Sequence, residues 1–336
     1  MKKILLIATG GTIAAVATKN GLSPLLSTDD LLSYIPETLE MCSIDSIQPL
    51  NIDSTNIQPE DWVELARLIK DNYGKYDGFV ITHGTDTMAY TSAMLSYLVQ
   101  NPAMPIVLTG SQKPINLDIS DARMNLRDAF SYAAGGAPGV FIVFNGKVIA
   151  GTRARKTKSK SYDAFESINY PALAYIDGKR ITGYVNIRQS TDGPAFYTDI
   201  YPNVFLLKIA PGMDPEVLDY ISDKYEAIVI ESYGTGGIPF ADKRNFLKKL
   251  KEATEKGKVI VIATQVMLEG SDLSAYEVGS KALVYNVLQA YDMTIEATMT
   301  KLMWILAVTK DFDEIKALFY KRIHEDILYT DMLQSN

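Results

Sequence analysis

A chain of 336 residues with 47% hydrophobic and 22% charged side chains has ordinary globular composition and is long enough for two hydrophobic cores. Its net charge of −7 and pI near 5.1 argue against a nucleic-acid binder, which is as a rule basic. Cys42 is the only cysteine, so an intrachain disulfide is excluded and a reducing compartment fits.

No stretch reaches the ~18 apolar residues of a membrane span. Met1-Lys2-Lys3 followed by Ile4–Ala8 resembles the start of a signal peptide, and Ala15-Val16-Ala17 imitates a cleavage site. Gly10-Gly11 breaks the apolar region too early for that, so the expectation is a cytoplasmic protein. Ile4–Ala8 instead reads as a buried strand of a parallel sheet, ending in Thr9-Gly10-Gly11-Thr12. In an open α/β sheet ligands sit beyond the carboxyl ends of the strands, and glycines there let the backbone come close to a ligand. Thr12 would present its hydroxyl at that crevice, or would merely cap a structural turn.

Ser27 with Asp30 predicts a capping box opening a short helix to Tyr34, and strand-like residues follow from Met41 to Ile52, ending at Asp53-Ser54-Thr55. Pro59-Glu60-Asp61 opens a helix to about Tyr73. Gly78–Ile81 is the next strand, ending at His83-Gly84-Thr85-Asp86-Thr87, and a helix from Met88 to Val99 follows. Then come the strand Pro105–Thr109, ending at Gly110-Ser111-Gln112, the helix Asp121–Ala134 and the strand Val140–Phe144. Asn145-Gly146 predicts a tight hairpin into Val148–Ala150. This alternation specifies a doubly wound, largely parallel sheet. Three of its strand ends carry Thr12, Ser54 and Thr85-Asp86, where such a sheet binds ligands.

Residues 152–160 form a basic run without an acid, read as a solvated loop or a weak anionic contact. A second α/β unit starts near Val204, with strands Val204–Ile209, Ala227–Glu231 and Val259–Ala263. Its expected helices are Pro215–Ile221, Asp242–Lys256, Thr294–Val308 and Asp311–Lys321. The organisation is therefore α/β in two domains: a larger N-terminal doubly wound, mostly parallel domain over 1–185, a connector over 186–203, and a smaller C-terminal α/β domain over 204–336.

A threonine hydroxyl is a poor nucleophile and needs an activating base. His83 and His324 are the only histidines, so a Ser-His-Asp arrangement has little to draw on, although His83 abuts the Gly-Thr-Asp turn. A lysine serves when it is desolvated or flanked by cations, and Lys156 sits among Arg153, Arg155, Lys158 and Lys160. No cysteine–histidine cluster or HExxH spacing exists, so no metal site is expected. There is no GxxxxGK[ST] or GxGxxG, and Gly234-Thr235-Gly236-Gly237 lacks nucleotide-loop spacing.

Thr9–Ala14 (TGGTIA) and His83–Met88 (HGTDTM) together resemble the two signatures of the bacterial-type L-asparaginases. Asp53–Thr55, Leu108–Pro114, Gly151–Lys156, Asp163–Ser167, Ser232–Pro239 and Asp292–Leu302 are similar to further blocks of that family, closest to its cytoplasmic type I branch. The resemblance implies hydrolysis of L-asparagine to L-aspartate and ammonia by covalent catalysis, with no cofactor and no metal. It implies Thr12 as nucleophile, with Thr85, Asp86 and Lys156 as the activating group. Backbone N–H groups near Gly11 and Thr85 would form the oxyanion hole. Substrate would be bound by Gly11, Asp53, Ser54, Thr55 and Ser111, with Asp86 also pairing with its α-ammonium. The family further implies a homodimer or homotetramer with sites near the subunit interface. Rival readings are a glutaminase-leaning amidohydrolase, the amidase subunit of a tRNA-dependent amidotransferase, which carries an added N-terminal domain absent from this sequence, and an amino-acid sensor without turnover. Where many relatives carry a loop tyrosine that contacts the nucleophile, this chain has Leu22, which has no donor or acceptor.

Overall fold

The apolar runs become strands because helices cover both faces of the sheet they form. The structure is a computed structural model that describes residues 1–19, 21–187, 191–241 and 243–328. Two compact units divide between Thr198 and Asp199. In the first unit the strands are β1 (Lys2–Ala8), β2 (Ala15–Thr18), β3 (Gly21–Pro24), β4 (Cys42–Ile47), β5 (Gly78–Thr82), β6 (Val99–Gln100), β7 (Pro105–Thr109) and β8 (Gly139–Phe144). They continue with β9 (Lys147–Ala150), β10 (Ala154–Lys156), β11 (Phe165–Ser167), β12 (Ala174–Asp177), β13 (Arg180–Gly183) and β14 (Ala195–Phe196). Its α-helices are α1 (Thr28–Ser33), α2 (Pro59–Asn72), α3 (Met88–Leu98) and α4 (Ala122–Gly135).

Eight strands form one mixed sheet in the order β13-β12-β9-β8-β7-β5-β1-β4. It is parallel from β8 through β4 and antiparallel from β8 to β13. Alternation sends Ile4, Leu6, Val80, Val107 and Phe141 into one core with Leu126, Ala129 and Phe130 of α4. Each such buried side chain contributes ~1.5–3 kcal/mol. The intervening Leu5, Ile7, Phe79, Ile81 and Ile106 are equally buried, and on β7 and β8 lies α3, against which α2 packs. The register sets Ala8 beside Thr82 and Thr82 beside Thr109, so β1, β5 and β7 end on one line.

Local signals in the sequence were followed closely. Ser27 and Asp30 form the reciprocal capping box of α1, and Asn145 and Gly146 take φ of 49° and 72° in the hairpin between β8 and β9. The strand expected from Met41 to Ile52 stops at Ile47, because Pro49 cannot donate to the ladder; Ile52 rejoins through a bridge to Gly10. The hairpin of β2 and β3 was not foreseen; its turn uses Gly21 at φ 113°, with the Thr18 hydroxyl donating to Gly21 O at 2.7 Å. Residues 188–190 of the expected connector lie outside the described residues, and within that stretch Ala195–Phe196 forms β14, paired with β6.

In the second unit, β15 (Val204–Lys208), β16 (Ala227–Ser232), β17 (Val259–Thr264) and β18 (Leu288–Gln289) form an all-parallel sheet in that order. Its helices are α5 (Val217–Ser222), α6 (Phe246–Glu255), α7 (Glu277–Leu283), α8 (Ile295–Val308) and α9 (Phe312–Tyr320). Asp242, expected to open α6, lies outside the described residues; the helix begins at Phe246, where the Asn245 side chain caps Lys248 N at 2.9 Å. Leu218, Ile228, Ile230, Phe246, Leu250 and Ile260 anchor the core of this unit. The molecule is thus an α/β protein with a larger N-terminal doubly wound sheet and a smaller C-terminal α/β unit.

Candidate active site

Four loops, following β1, β4, β5 and β7, meet where glycine removes the side chain that would hold them apart. Gly10 and Gly11 take φ of 101° and 78°, a region L side chains rarely adopt. A Cβ on Gly11 would lie 2.4 Å from Gly84 N, one on Gly84 2.5 Å from Ser54 Oγ, and one on Gly110 2.2 Å from His83 O. Backbone bonds complete the junction: Gly11 N–H donates to Ile52 O at 2.9 Å, Ile52 N–H to Thr9 O at 3.0 Å, and His83 N–H to Thr109 O at 2.8 Å. The polar residues at these strand ends are therefore carried on backbone in direct contact.

Thr12 opens a 3₁₀ turn, Thr12–Ala14, directly after Gly11 and is half-buried. Thr85 is 5% exposed. Lys156, the last residue of β10, reaches both neighbouring groups: Nζ donates to Thr85 Oγ1 at 2.7 Å and to Asp86 Oδ1 at 2.6 Å. The β10 strand is positioned by pairing with β11, opposite Phe165, whose ring packs on Phe144 with centroids 5.0 Å apart. With Asp86 more than half exposed, the ion pair adds little stability. Its effect is orientation: the ammonium, a donor only, is held against the Thr85 oxygen.

The sequence suggested flanking cations as the setting of Lys156; the structure differs. The charge beside it is the acid Asp86. Lys158 pairs with Asp163, and the Arg153 guanidinium lies buried, 5.5 Å from the Tyr170 ring centroid. Such a run cannot reveal side-chain direction, because successive residues of a strand point to opposite faces.

Ser54 is buried, its Oγ accepting from Asp86 N–H at 3.3 Å and its carbonyl from the Thr87 hydroxyl at 2.7 Å. Asp53 and Thr55 are exposed on either side, and Asp53 Oδ1 accepts from Thr55 N–H at 2.9 Å and the Thr55 hydroxyl at 2.8 Å. The N–H of Gly11 itself is bonded to Ile52 O, and the next amide along is that of Thr12. Ser111 has no exposed surface and its hydroxyl donates to Lys113 O at 2.5 Å, a bond within the loop after β7.

His83 is fully buried, with Nδ1 2.7 Å from Gly84 O and Nε2 2.9 Å from Thr91 Oγ1; the Trp62 indole N–H donates to the same hydroxyl at 2.9 Å. A carbonyl only accepts, so Nδ1 carries the proton and Nε2 accepts from Thr91. Burial lowers the imidazole to about 4, which keeps it neutral. Both ring nitrogens are committed to internal bonds, so His83 is scaffold and not the base. The sequence also missed Asp121, read only as a helix start. Its buried carboxylate, pushed up by burial, accepts from Gln112 N–H at 2.9 Å and Lys113 N–H at 3.1 Å and so fixes the loop after β7. Among the described residues no three His, Cys, Asp or Glu side chains gather as a metal site would require.

Fold and site together define an α/β enzyme of the hydrolase class, its polar groups gathered at the carboxyl edge of a doubly wound sheet. A family model described as "Asparaginase, N-terminal" matches residues 3–189, and one described as "Glutaminase/Asparaginase C-terminal domain" matches residues 203–319. The chain belongs to the asparaginase family. It is 44% identical to the L-asparaginase of Thermococcus kodakarensis, covering 97% of this chain and 99% of that one. A solved structure of the thermostable L-asparaginase from that organism superimposes with a TM-score of 0.92 at 43% identity, over 97% of this chain and 99% of that chain. L-asparaginase 1 of Escherichia coli is 32% identical over 98% of this chain and 99% of its own length. One subunit of the glutamyl-tRNA(Gln) amidotransferase of Pyrococcus furiosus is 34% identical over 94% of this chain, which spans 74% of that protein.

Proposed function

We propose that the protein hydrolyses L-asparagine to L-aspartate and ammonia through an acyl-threonine intermediate. The observation that carries the reading is Lys156 Nζ, bonded at once to Thr85 Oγ1 and Asp86 Oδ1 beside the loop that bears Thr12. Thr12 Oγ attacks the side-chain amide carbon; the C–N bond breaks, and ammonia leaves with the proton that Thr12 gives up. Water then attacks the ester, aspartate departs, and a proton returns to Thr12. Lys156 polarises Thr85, which accepts a hydrogen bond from the attacking hydroxyl and orients it, and the N–H groups of Thr12 and Thr85 face the developing oxyanion.

Asp86 and Asp53 receive the substrate's α-ammonium, while Ser54, with Thr55 beside it, receives its α-carboxylate end, and Gly11 lets the backbone approach the substrate closely. Neither metal nor cofactor enters this scheme. The working form is a cytoplasmic homodimer or homotetramer with sites near the subunit interface. Leu22, 59% exposed in β3, gives the hairpin an apolar side chain that, with the loop closed over the substrate, would exclude water without sharing a proton. The test is ammonia release by purified protein from asparagine against glutamine, repeated with Thr12→Ala and Thr85→Ala. Each variant should fold normally and lose most turnover; near-normal kcat in both would refute the two-threonine assignment. Preferential release from glutamine would refute the substrate.

A further inference from the structure

Gln112 is not part of the residue set above, yet its side chain touches Thr85. Its amide Nε2 donates to two backbone carbonyls, Lys158 O at 3.2 Å and Ser161 O at 3.1 Å. Carbonyls only accept, so this pair of bonds fixes which amide atom is nitrogen and turns Oε1 the other way. Oε1 lies 3.4 Å from Thr85 Oγ1. On its other side the same hydroxyl accepts from Lys156 Nζ at 2.7 Å.

A hydroxyl has one proton and two lone pairs. An ammonium cannot accept, so Lys156 takes a lone pair, and an amide oxygen cannot donate, so Gln112 takes the proton. One lone pair of Thr85 remains. We propose that Gln112 is a positioning residue for the reaction: it holds the Thr85 proton aside, so that Thr85 offers a lone pair as a hydrogen-bond acceptor that orients Thr12 or the attacking water, while the transferred proton itself goes to the leaving amide nitrogen or back to Thr12. This rests on the reading that Thr85 takes part in turnover.

Gln112 is itself held from both ends. Its N–H donates to Asp121 Oδ2 at 2.9 Å. The segment carrying its two carbonyl partners is closed by Thr157 N–H on Ala164 O at 2.8 Å and by the Lys158–Asp163 pair. The 3.4 Å contact is longer than the usual ~2.7–2.8 Å for two oxygens, so its contribution lies in direction more than in strength.

The test uses the full chain with L-asparagine. Gln112→Met keeps the length and removes both hydrogen-bonding ends; kcat should fall by about 3- to 10-fold, the range for one ordinary hydrogen bond, with KM within about twofold. Gln112→Glu, when protonated, keeps a carbonyl acceptor for Thr85 and an O–H donor for Lys158 O or Ser161 O, whereas when ionised it turns a bare oxygen on those two carbonyls; relative to the native profile, kcat should therefore recover as pH falls through the titration of the new carboxyl, a change that Gln112→Met lacks. A purely structural Gln112 would lower Tm without adding that titration. Native kcat in folded Gln112→Met, or a Gln112→Glu profile that overlays the native one, would overturn the proposal. Should Gln112→Met fail to fold, the Gln112→Glu profile alone decides. Full turnover by Thr85→Val would instead overturn the role of Thr85, and this proposal with it.

Discussion

Replacing Gly84 by alanine tests whether the glycine junction sets the geometry of the site. The new Cβ would lie 2.5 Å from Ser54 Oγ, 2.7 Å from Ser54 Cβ and 3.2 Å from Ser54 N. Rotation of the serine relieves only the first contact, since Cβ and backbone cannot swing away. Against a normal carbon–carbon separation of ~3.5–4.0 Å, the Cβ overlap is about 1 Å. Overpacking of this size costs roughly 1–3 kcal/mol, and for a unit of this size ~2 kcal/mol lowers Tm by about 4–8 °C. If the loop after β5 shifts by a good fraction of that ångström, Thr85 and Asp86 shift with it, and kcat should drop about 10- to 100-fold. Gly74→Ala is the control: Gly74 has φ of 79° with nothing within 4 Å of a Cβ, so it should lose some stability from backbone strain and no kcat. Ammonia release and thermal melts on both variants provide the comparison. A folded Gly84→Ala protein with native kcat would refute the argument that backbone contact fixes the site.

Lys156→Met should abolish most turnover, whereas exposed Lys160→Met should leave it intact; equal tolerance of both in steady-state kinetics would remove Lys156 from the reaction. His83 binds a proton near 6.5 when unfolded and near 4 when folded, so between those values the unfolded chain holds more protons. The stability it contributes is complete above about pH 6.5 and declines towards pH 4 by on the order of 3 kcal/mol, a slope that His83→Gln should flatten in Tm–pH curves. An unchanged slope would mean that other groups drive acid unfolding. Chelator treatment should leave ammonia release unchanged, and a loss restored by a divalent ion would contradict the scheme.

What could be read from the sequence was local. The end of each central strand is written as an apolar run followed by glycine, and the caps at Ser27 and the turn at Asn145-Gly146 use side chains within three residues of each other. Long-range pairing was not legible: β10 and β11 are short and show no alternation, so nothing in the basic run singled out the direction of Lys156. Ser111 and Gln112 illustrate the same limit. Both stand at a strand end, but Asp121, nine residues beyond Gln112, holds the loop so that the serine is buried and the glutamine reaches Thr85. His83 has the residue type of a base, and only its burial against Trp62 and Thr91 removes it from that role.

Because Gly11 and Gly84 meet main chain to main chain, the spacing of the two loops that carry Thr12 and Thr85 depends on no rotamer. That divides the site into a part that cannot drift and a part that can. Stepwise sequence change has no small move at the junction, since every larger residue there meets backbone or the base of a serine. Asp53, Thr55 and Leu22 are exposed and hang from that frame on turns and a hairpin. A lineage, or a laboratory selection, that alters which amide is accepted would therefore collect its changes at those positions while the reacting centre stays as it is.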